Sequence, residues 1–347
     1  MSTPRIELNR AALGHNIRHT KSMVGSAVKV MVAVKSNAYG HGLELVAPEV
    51  VAHGADELAV LDLKTAVQTR ALLAEPPLLA WLLGPTDDFS AAVTHGIELG
   101  ISEIWQLDAI EALAPPSPVI VHLKIDTGLN RNGATAQQWP ALVARARVLE
   151  GTGAIRVRAI WSHLADTSDE ESLKALARLD SAVEQAKQAG LEPELTHLAA
   201  SHAAVSLPQT RRDLVRLGIL AYGVSPFADK SAADLGYQPV LTLYAPVTAV
   251  SDSTIELGVG YQHGLLPPHE SSIAIQRAGV SHEVVEVGVD HTLLRANSAK
   301  DAHIGEYVAV LGAAEGAVSV EHWGGAAGTI GDEVLVSLRD ELPRSWA

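Results

Sequence analysis

The sequence predicts an α/β fold: a (β/α)8 barrel of the TIM type followed by a smaller all-β C-terminal domain. Three observations predict it. Up to residue 225, short β-branched runs alternate with Ala- and Leu-rich stretches of helical spacing. The short runs are almost continuously apolar, as strands covered on both faces must be. Beyond Tyr222 the helical spacing gives way to short alternating runs separated by turn residues.

Arg5 to Leu8 reads as a first strand, with Asn9 as N-cap of the helix that follows. This strand is expected to pair with the C-terminal domain and not with the barrel. The barrel strands are read at Val28–Val34, Glu57–Val60, Pro77–Leu83, Gly96–Ile101, Val119–Ile125, Ile155–Trp161, Leu195–Ala199 and Leu214–Leu217. Helical stretches such as Asp62–Leu73, Gln137–Leu149 and Glu170–Ala189 lie between them. Eight strands interleaved with helices favour a closed barrel over an open doubly wound sheet. The barrel is assigned to residues 9–225 and a linker carrying Pro226 and Gly236 to residues 226–238. Residues 239–347, with strand 5–8, form the β-domain, with strands expected at Val240–Val250, Thr254–Val259, Ile273–Gln276, Val284–Val287, Tyr307–Leu311, Ala317–Val320 and Glu333–Leu338.

Composition narrows the function. A net charge of −14 argues against nucleic acid and anionic membranes as partners. With no cysteine, disulfides, thiolate metal sites and a cysteine nucleophile are excluded. Residues 1–16 lack the apolar core of a signal peptide, and no apolar stretch is long enough to cross a bilayer. A soluble, cytoplasmic protein is expected.

In such a barrel, chemistry collects at the C-terminal ends of the strands. Lys35 follows the first, in "VMVAVKSNAYGHG". Lys124, Asp126 and Arg131 follow the fifth, in "HLKIDTGLNRNG". His163 follows the sixth, Ser201 the seventh, and Arg216 ends the eighth. Taken singly, each has an ordinary explanation: a solvated lysine, a structural histidine, a turn at Asp126–Thr127–Gly128, an arginine in an ion pair. Their coincidence on one rim points to a site. A lysine there can act as an amine nucleophile towards an aldehyde. The Ser201 hydroxyl and backbone N–H groups around Gly218 and Ile219 can cradle a phosphate, and Tyr39 can add a phenolic hydrogen bond. Pyridoxal 5'-phosphate meets these requirements: an aldehyde, a phosphate and a ring nitrogen that needs a partner.

"AVKSNAYGHG" resembles the cofactor-lysine motif of the alanine racemase family, and "LKIDTGLNRNG", "SHLA" and "VRLGILAYGVSP" are similar to its next signatures, in the same order. The opening "IELNRAALGHNI" is similar to its N-terminal strand and helix. The resemblance covers about residues 5–261, with a weaker trace beyond. It implies racemisation of alanine, supplying D-alanine for peptidoglycan, by two bases on opposite faces of the substrate Cα. Lys35 is one base and Tyr261, in "LGVGYQHG", the other. A hydrogen-bonded chain from Tyr261 through His163 to Arg216 would favour the phenolate over the neutral phenol. Arg216 faces the ring nitrogen, and because arginine only donates, that nitrogen stays an unprotonated acceptor. Arg131 binds the substrate carboxylate, and Val289 and Asp290 lie in the substrate segment "GVDHT". Lys124 matches a lysine that is often carbamylated in the family. In this family the tyrosine comes from the partner subunit, so a head-to-tail homodimer is implied.

The second half departs from the family pattern. "RAGVSHE" stands where the family has Gly-Tyr-Ala-Asp-Gly, and "AAS" before His202 lacks the usual asparagine. In "TIGDEV", Asp332 aligns with the place of a phosphate-binding tyrosine; a carboxylate facing a phosphate is repulsive, so either the register differs there or cofactor binding is altered. These differences leave other readings open: a racemase of another amino acid such as serine, or a pyridoxal-phosphate-binding homologue without catalysis. A metal-assisted relative would use His282, Glu283, Glu286, Asp290 and His291, but their spacing matches no metal motif, so no metal is expected.

Overall fold

The computed structural model describes residues 3–269, 273–296 and 301–347. The chain divides into two compact units. One comprises Thr20–Lys35 and Val50–Gly218; the other comprises the N-terminal residues through His19, Ser36–Glu49, and the chain from Ile219 onward. The first strand, β1 (Arg5–Leu8), belongs to the second unit.

The first unit is a closed parallel barrel. Its strands are β2 (Lys29–Ala33), β3 (Glu57–Val60), β4 (Leu78–Ala80), β5 (Glu98–Ile101), β6 (Val119–Lys124), β7 (Ile155–Trp161), β8 (Leu195–His197) and β9 (Leu214–Leu217). Each strand pairs with the next, and β2 closes the ring against β9 through Val30 opposite Val215. Met31, Ala59, Leu79, Ala159, Leu195 and Leu214 pack as one buried cluster, with Trp81 against it. The strands are mostly buried, and closing the ring leaves none of them with an unpaired edge. Local chemistry sets the helix starts. Asp62 accepts from Thr65 N (2.7 Å) to cap Leu63–Leu72. Ser168 caps Asp169–Gln188, whose first turn carries Asp169, Glu170 and Glu171 at the positive end of the dipole. Trp139, fully buried at the start of Trp139–Thr152, donates its indole N–H to Ala182 O at 3.1 Å and ties those two helices together.

In the second unit the sheet continues with β10 (Leu241–Val250), β11 (Thr254–Leu257), β12 (Ala274–Arg277), β13 (Val280–Val287), β14 (Thr292–Arg295), β15 (Tyr307–Gly312) and β16 (Arg344–Trp346). The order is β12-β13-β14-β11-β10-β1-β16, with β15 also on β10. As expected, β1 joins this sheet, antiparallel to β10 and parallel to β16. Asn9 caps the following helix by accepting from Ala12 N at 3.0 Å.

The structure corrects two of the expected strands. Ala317–Val320 makes only a single bridge, Leu311 to Val318, and Val320 opens a helix, Val320–Ala326, capped by Ser319. Glu333–Leu338 lies mostly in a second helix, Gly331–Ser337. The run reads as alternating, yet its buried residues are Val334, Leu335 and Leu338, a helical spacing. Gly324 permits the close packing: a Cβ there would sit 3.0 Å from the Ile330 carbonyl carbon. The C-terminal domain is therefore β-rich and not all-β. Two short strands, β14 and β16, carried no clear alternation and were not expected.

Candidate active site

The barrel brings the C-terminal ends of β2–β9 to one end, and with them most of the polar residues singled out from sequence. Lys35 is half-buried, two residues beyond β2. The chain then enters the second unit through four consecutive left-handed residues, Ser36, Asn37, Ala38 and Tyr39, at φ 51, 53, 52 and 52°. Such a conformation costs roughly 1–2 kcal/mol per non-glycine residue, so it persists only where its surroundings hold it. Here Gly42 N donates to Asn37 O (2.9 Å) and Leu43 N to Asn37 Oδ1 (2.6 Å). Asn37 Nδ2 donates to Asp340 (2.6 Å), and Arg344 Nε donates to Gly40 O (2.8 Å). Gly40 is obligatory, since a Cβ would lie 2.2 Å from Leu335 O.

Lys124 ends β6 and is buried. Its Nζ donates to Asn132 Oδ1 (2.9 Å) and lies 4.6 Å from the Trp161 ring centroid. Burial, with Arg216 and Arg131 nearby, pushes its pKa down to about 7, against a smaller opposing pull from Asp126. The loop after it folds back on itself: Asp126 Oδ1 accepts from Gly128 N (2.9 Å) and Asn130 N (3.1 Å), and Asp126 N donates to Ala134 O (2.8 Å). This closed loop presents Arg131, which is exposed.

Arg216, in β9, is buried with its guanidinium spread over four acceptors. Nη1 donates to His197 Nδ1 (2.8 Å), and Nη2 donates to Ser162 O (2.9 Å), Leu198 O (2.8 Å) and His163 Nδ1 (3.0 Å). Among the described residues no carboxylate forms an ion pair with it, and its Nε has no protein acceptor. The bond to His163 fixes that ring, because arginine can only donate. Nδ1 of His163 is the acceptor and Nε2 carries the hydrogen. Burial and the charges of Arg216, Arg131, Lys124 and Lys35 hold His163 neutral, well below the ordinary histidine pKa. Trp161 lies 5.0 Å beneath Arg216 and stacks on His197 at 5.2 Å and 12°.

Ser201 begins the short helix after β8, and its Oγ accepts from Gly218 N at 2.9 Å. The Ser201 hydroxyl hydrogen has no protein acceptor among the described residues. Ile219, next in sequence, opens the turn Ile219–Tyr222 in the second unit. In that unit Tyr39 packs against Tyr222 at 5.0 Å, and burial, reinforced by the charge of Asp332, pushes the Tyr39 phenol up. Asp332, which the resemblance would align with the family's phosphate tyrosine, lies close enough to Tyr39 for its charge to act on the phenol.

Tyr261, Val289 and Asp290 come together within the second unit. Tyr261 N donates to Gly288 O and Gln262 N to Val289 O, both at 2.9 Å. Gly260 allows the approach, since a Cβ would fall 2.3 Å from Gly288 O. Tyr261 is 49% exposed, unusual for a large ring. The "RAGVSHE" segment forms the β12–β13 hairpin, with Ala278 (φ 48°) and Gly279 (φ 75°) at its tip. Residues of "SHEVVEVGVDHT" lie on opposite faces of β13: His282 is buried while Glu283 is exposed and paired with Arg295 at 3.0 Å. Among the described residues no three His, Asp or Glu side chains converge as metal ligands.

Sequence reading missed Trp161, Asn132, Ser162, His122 and His197, which support the rim from beneath. A histidine inside an apolar strand, as in "VIVHLK", was the available signal.

Residues 8–226 match the family model "Alanine racemase, N-terminal domain", and residues 247–346 match "Alanine racemase, C-terminal domain". The chain is 32% identical to an alanine racemase of Beutenbergia cavernae, covering 98% of this chain and 97% of that one. It is 35% identical to one of Mycobacterium ulcerans, over 79% of this chain and 71% of the relative. The alanine racemase from D-cycloserine-producing Streptomyces lavendulae superposes with a TM-score of 0.94 at 27% identity, covering 100% of this chain and 97% of that one. That of Streptomyces coelicolor A3(2) gives 0.94 at 29%, over 99% and 98%. With barrel and β-rich domain, the order of the rim residues, and both family models matched in turn, this chain belongs to the alanine racemase family.

Proposed function

We propose that the protein interconverts L- and D-alanine with pyridoxal 5'-phosphate as cofactor, using Lys35 and Tyr261 as the two bases. The observation that carries this reading is the set of unspent donors around the barrel rim. Arg216 Nε, the Ser201 hydroxyl and His163 Nε2 each lack a protein acceptor among the described residues. They suit, in turn, a pyridine nitrogen, a phosphate and a phenolate. The donor set therefore fits the cofactor, whose conjugated ring supplies acidity at the substrate Cα when bound.

Lys35 would hold the aldehyde carbon and take or return the Cα proton on one face. Ser201, the N–H groups of Gly218 and Ile219, and the Tyr39 hydroxyl would hold the phosphate. Asp332 stands against that role of Tyr39 and would weaken the phosphate's hold. Arg131 would receive the substrate carboxylate, with Val289 and Asp290 lining the approach. Tyr261 would exchange the proton on the opposite face, its phenolate accepting from His163 Nε2. Lys124, near neutrality at a pKa of about 7, has the free amine that carbamylation needs; a carbamate there would exchange a cation for an anion beside Arg131. A head-to-tail homodimer would bring Tyr261 of one chain to Lys35 of the other.

Proton NMR of L-alanine in deuterium oxide, with the protein and added pyridoxal phosphate, tests the reading. Loss of the Cα proton with appearance of the D-enantiomer is expected. No exchange despite a bound-cofactor absorbance would overturn alanine as substrate, and a panel including serine would then separate another racemase from a binding protein. Tyr261→Phe should block exchange from one enantiomer far more than from the other. Equal, small effects on both would sink the two-base scheme.

A further inference from the structure

Beneath Arg216 runs a line of buried polar groups that the reaction does not itself call on. Arg216 Nη1 meets His197 Nδ1 at 2.8 Å, His197 Nε2 meets His122 Nδ1 at 3.0 Å, and His122 Nε2 meets Glu98 Oε2 at 2.7 Å. Both imidazoles are fully buried and Glu98 nearly so. Only one placement of protons satisfies all three bonds. Arginine cannot accept, so His197 Nδ1 is bare and its hydrogen sits on Nε2. His122 Nδ1 must then accept, which puts the His122 hydrogen on Nε2, directed at Glu98. Starting from the carboxylate gives the same answer, because an ionised Glu98 can only accept.

We propose that Glu98, His122 and His197 are positioning residues for Arg216: a relay of fixed proton direction that holds the guanidinium in one orientation, with its Nε left to the cofactor ring. The two ends are anchored. Arg158 Nη1 donates to Glu98 at 2.6 Å, and its Nη2 is paired with Glu57, so the carboxylate cannot turn away. Trp161 stacks on His197 and donates its indole N–H to His122 O at 3.2 Å, which opposes a flip of the His197 ring. Burial and the charge of Arg216 keep His197 neutral, as an acceptor at Nδ1 must be. In a dry interior each unmade bond of the relay would leave a polar group stranded, so the arrangement is stiff. A guanidinium that must present one particular N–H benefits from such stiffness, since small misplacements of a reacting geometry are costly.

The kinetic part of the proposal rests on the racemase reading; the proton placement does not. The first test is 15N NMR of the histidine-labelled protein, with and without pyridoxal phosphate, with His122→Phe and His197→Phe for assignment. His122 and His197 should each show a protonated Nε2 and a bare Nδ1. A hydrogen on Nδ1 of either ring, or on both nitrogens, overturns the relay. The second test is kinetic, on the holoenzyme. His122→Phe should lower kcat about tenfold or more in both directions while KM for alanine changes less than about threefold, with a shifted bound-cofactor absorbance. Unchanged kcat in a folded variant overturns the positioning role. Should His122→Phe not fold, Glu98→Gln keeps the shape and removes the fixed acceptor, with the same expectation. Wild-type protein with the expected protonation and no racemisation would refute the activity and leave the relay standing; racemisation with other tautomers would refute the relay alone.

Discussion

Lys124 is a lysine placed among cations, and its proton is the clearest titration to follow. An unfolded lysine keeps its proton up to a pKa of 10.5, whereas buried Lys124 releases it from about 7. Between those values the unfolded chain binds more protons than the folded one, so stability rises with pH, by at most about 1.4 kcal/mol per unit. Below about pH 7 both states are protonated and the full cost of burying the charge is felt. Lys124→Met cannot titrate and should abolish that rise, measured by denaturant unfolding of the cofactor-free protein across the window. A carbamylated lysine would show no such slope either, and a mass increase dependent on bicarbonate would reveal it. At this scale the chemistry was legible where a polar residue stands at or near the C-terminal end of a mostly apolar strand, as Lys35, Lys124, His163 and Arg216 do. Residues that act from inside the strands were not. Glu98, His122 and His197 sit where a barrel should be apolar, and nothing local to them says which partner satisfies each.

The left-handed turn at Ser36–Tyr39 is an element that no propensity predicts, because four non-glycine residues at positive φ are individually unfavourable. The sequence shows the strand before it and the glycines after it, and hides the turn between. Asn37 is the residue that makes the turn tolerable. It accepts left-handed geometry more readily than most residues, and its amide bonds Leu43 N and Asp340. Asn37→Ala should therefore cost about 2 kcal/mol, from two hydrogen bonds and the lost conformational preference. Ser36→Gly, at an exposed position with φ 51°, should shift stability the other way, by up to about 1 kcal/mol. Denaturant midpoints of the two variants decide the matter; equal destabilisation would mean the turn is not strained. Elsewhere, legibility followed periodicity. Glu57–Val60, Ile155–Trp161 and Leu214–Leu217 were found at their true ends, because short, mostly apolar runs stand out between helical stretches. Gly331–Ser337 was misread because in "EVLVSL" the buried set of a short helix also satisfies an alternating pattern, and only packing of Gly324 against Ile330 and Gly331 distinguishes the two.

At the scale of the whole molecule, the charge of −14 and the lack of any helix apolar enough to span a membrane, among the described residues, are consistent with a small-molecule enzyme and supply nothing about its assembly. Under the proposed two-base reading, assembly would follow from where the two residues sit. Lys35 belongs to the barrel unit and Tyr261 to the other, where it is half exposed on a loop held by Gly288 and Val289. If sites form head to tail between two copies, each site takes its lysine from one chain and its tyrosine from the other. Lys35→Ala and Tyr261→Phe would then each be inactive alone, in at least one direction. Refolded together in equal amounts, they form mixed dimers half of the time, and each mixed dimer has one site with both native bases and one with neither. About one quarter of wild-type activity per site should return. Recovery near that level, absent when the two are mixed without dissociation, would establish shared sites. No recovery, with mixed dimers demonstrated by mass, would place both bases in one chain and end the head-to-tail scheme.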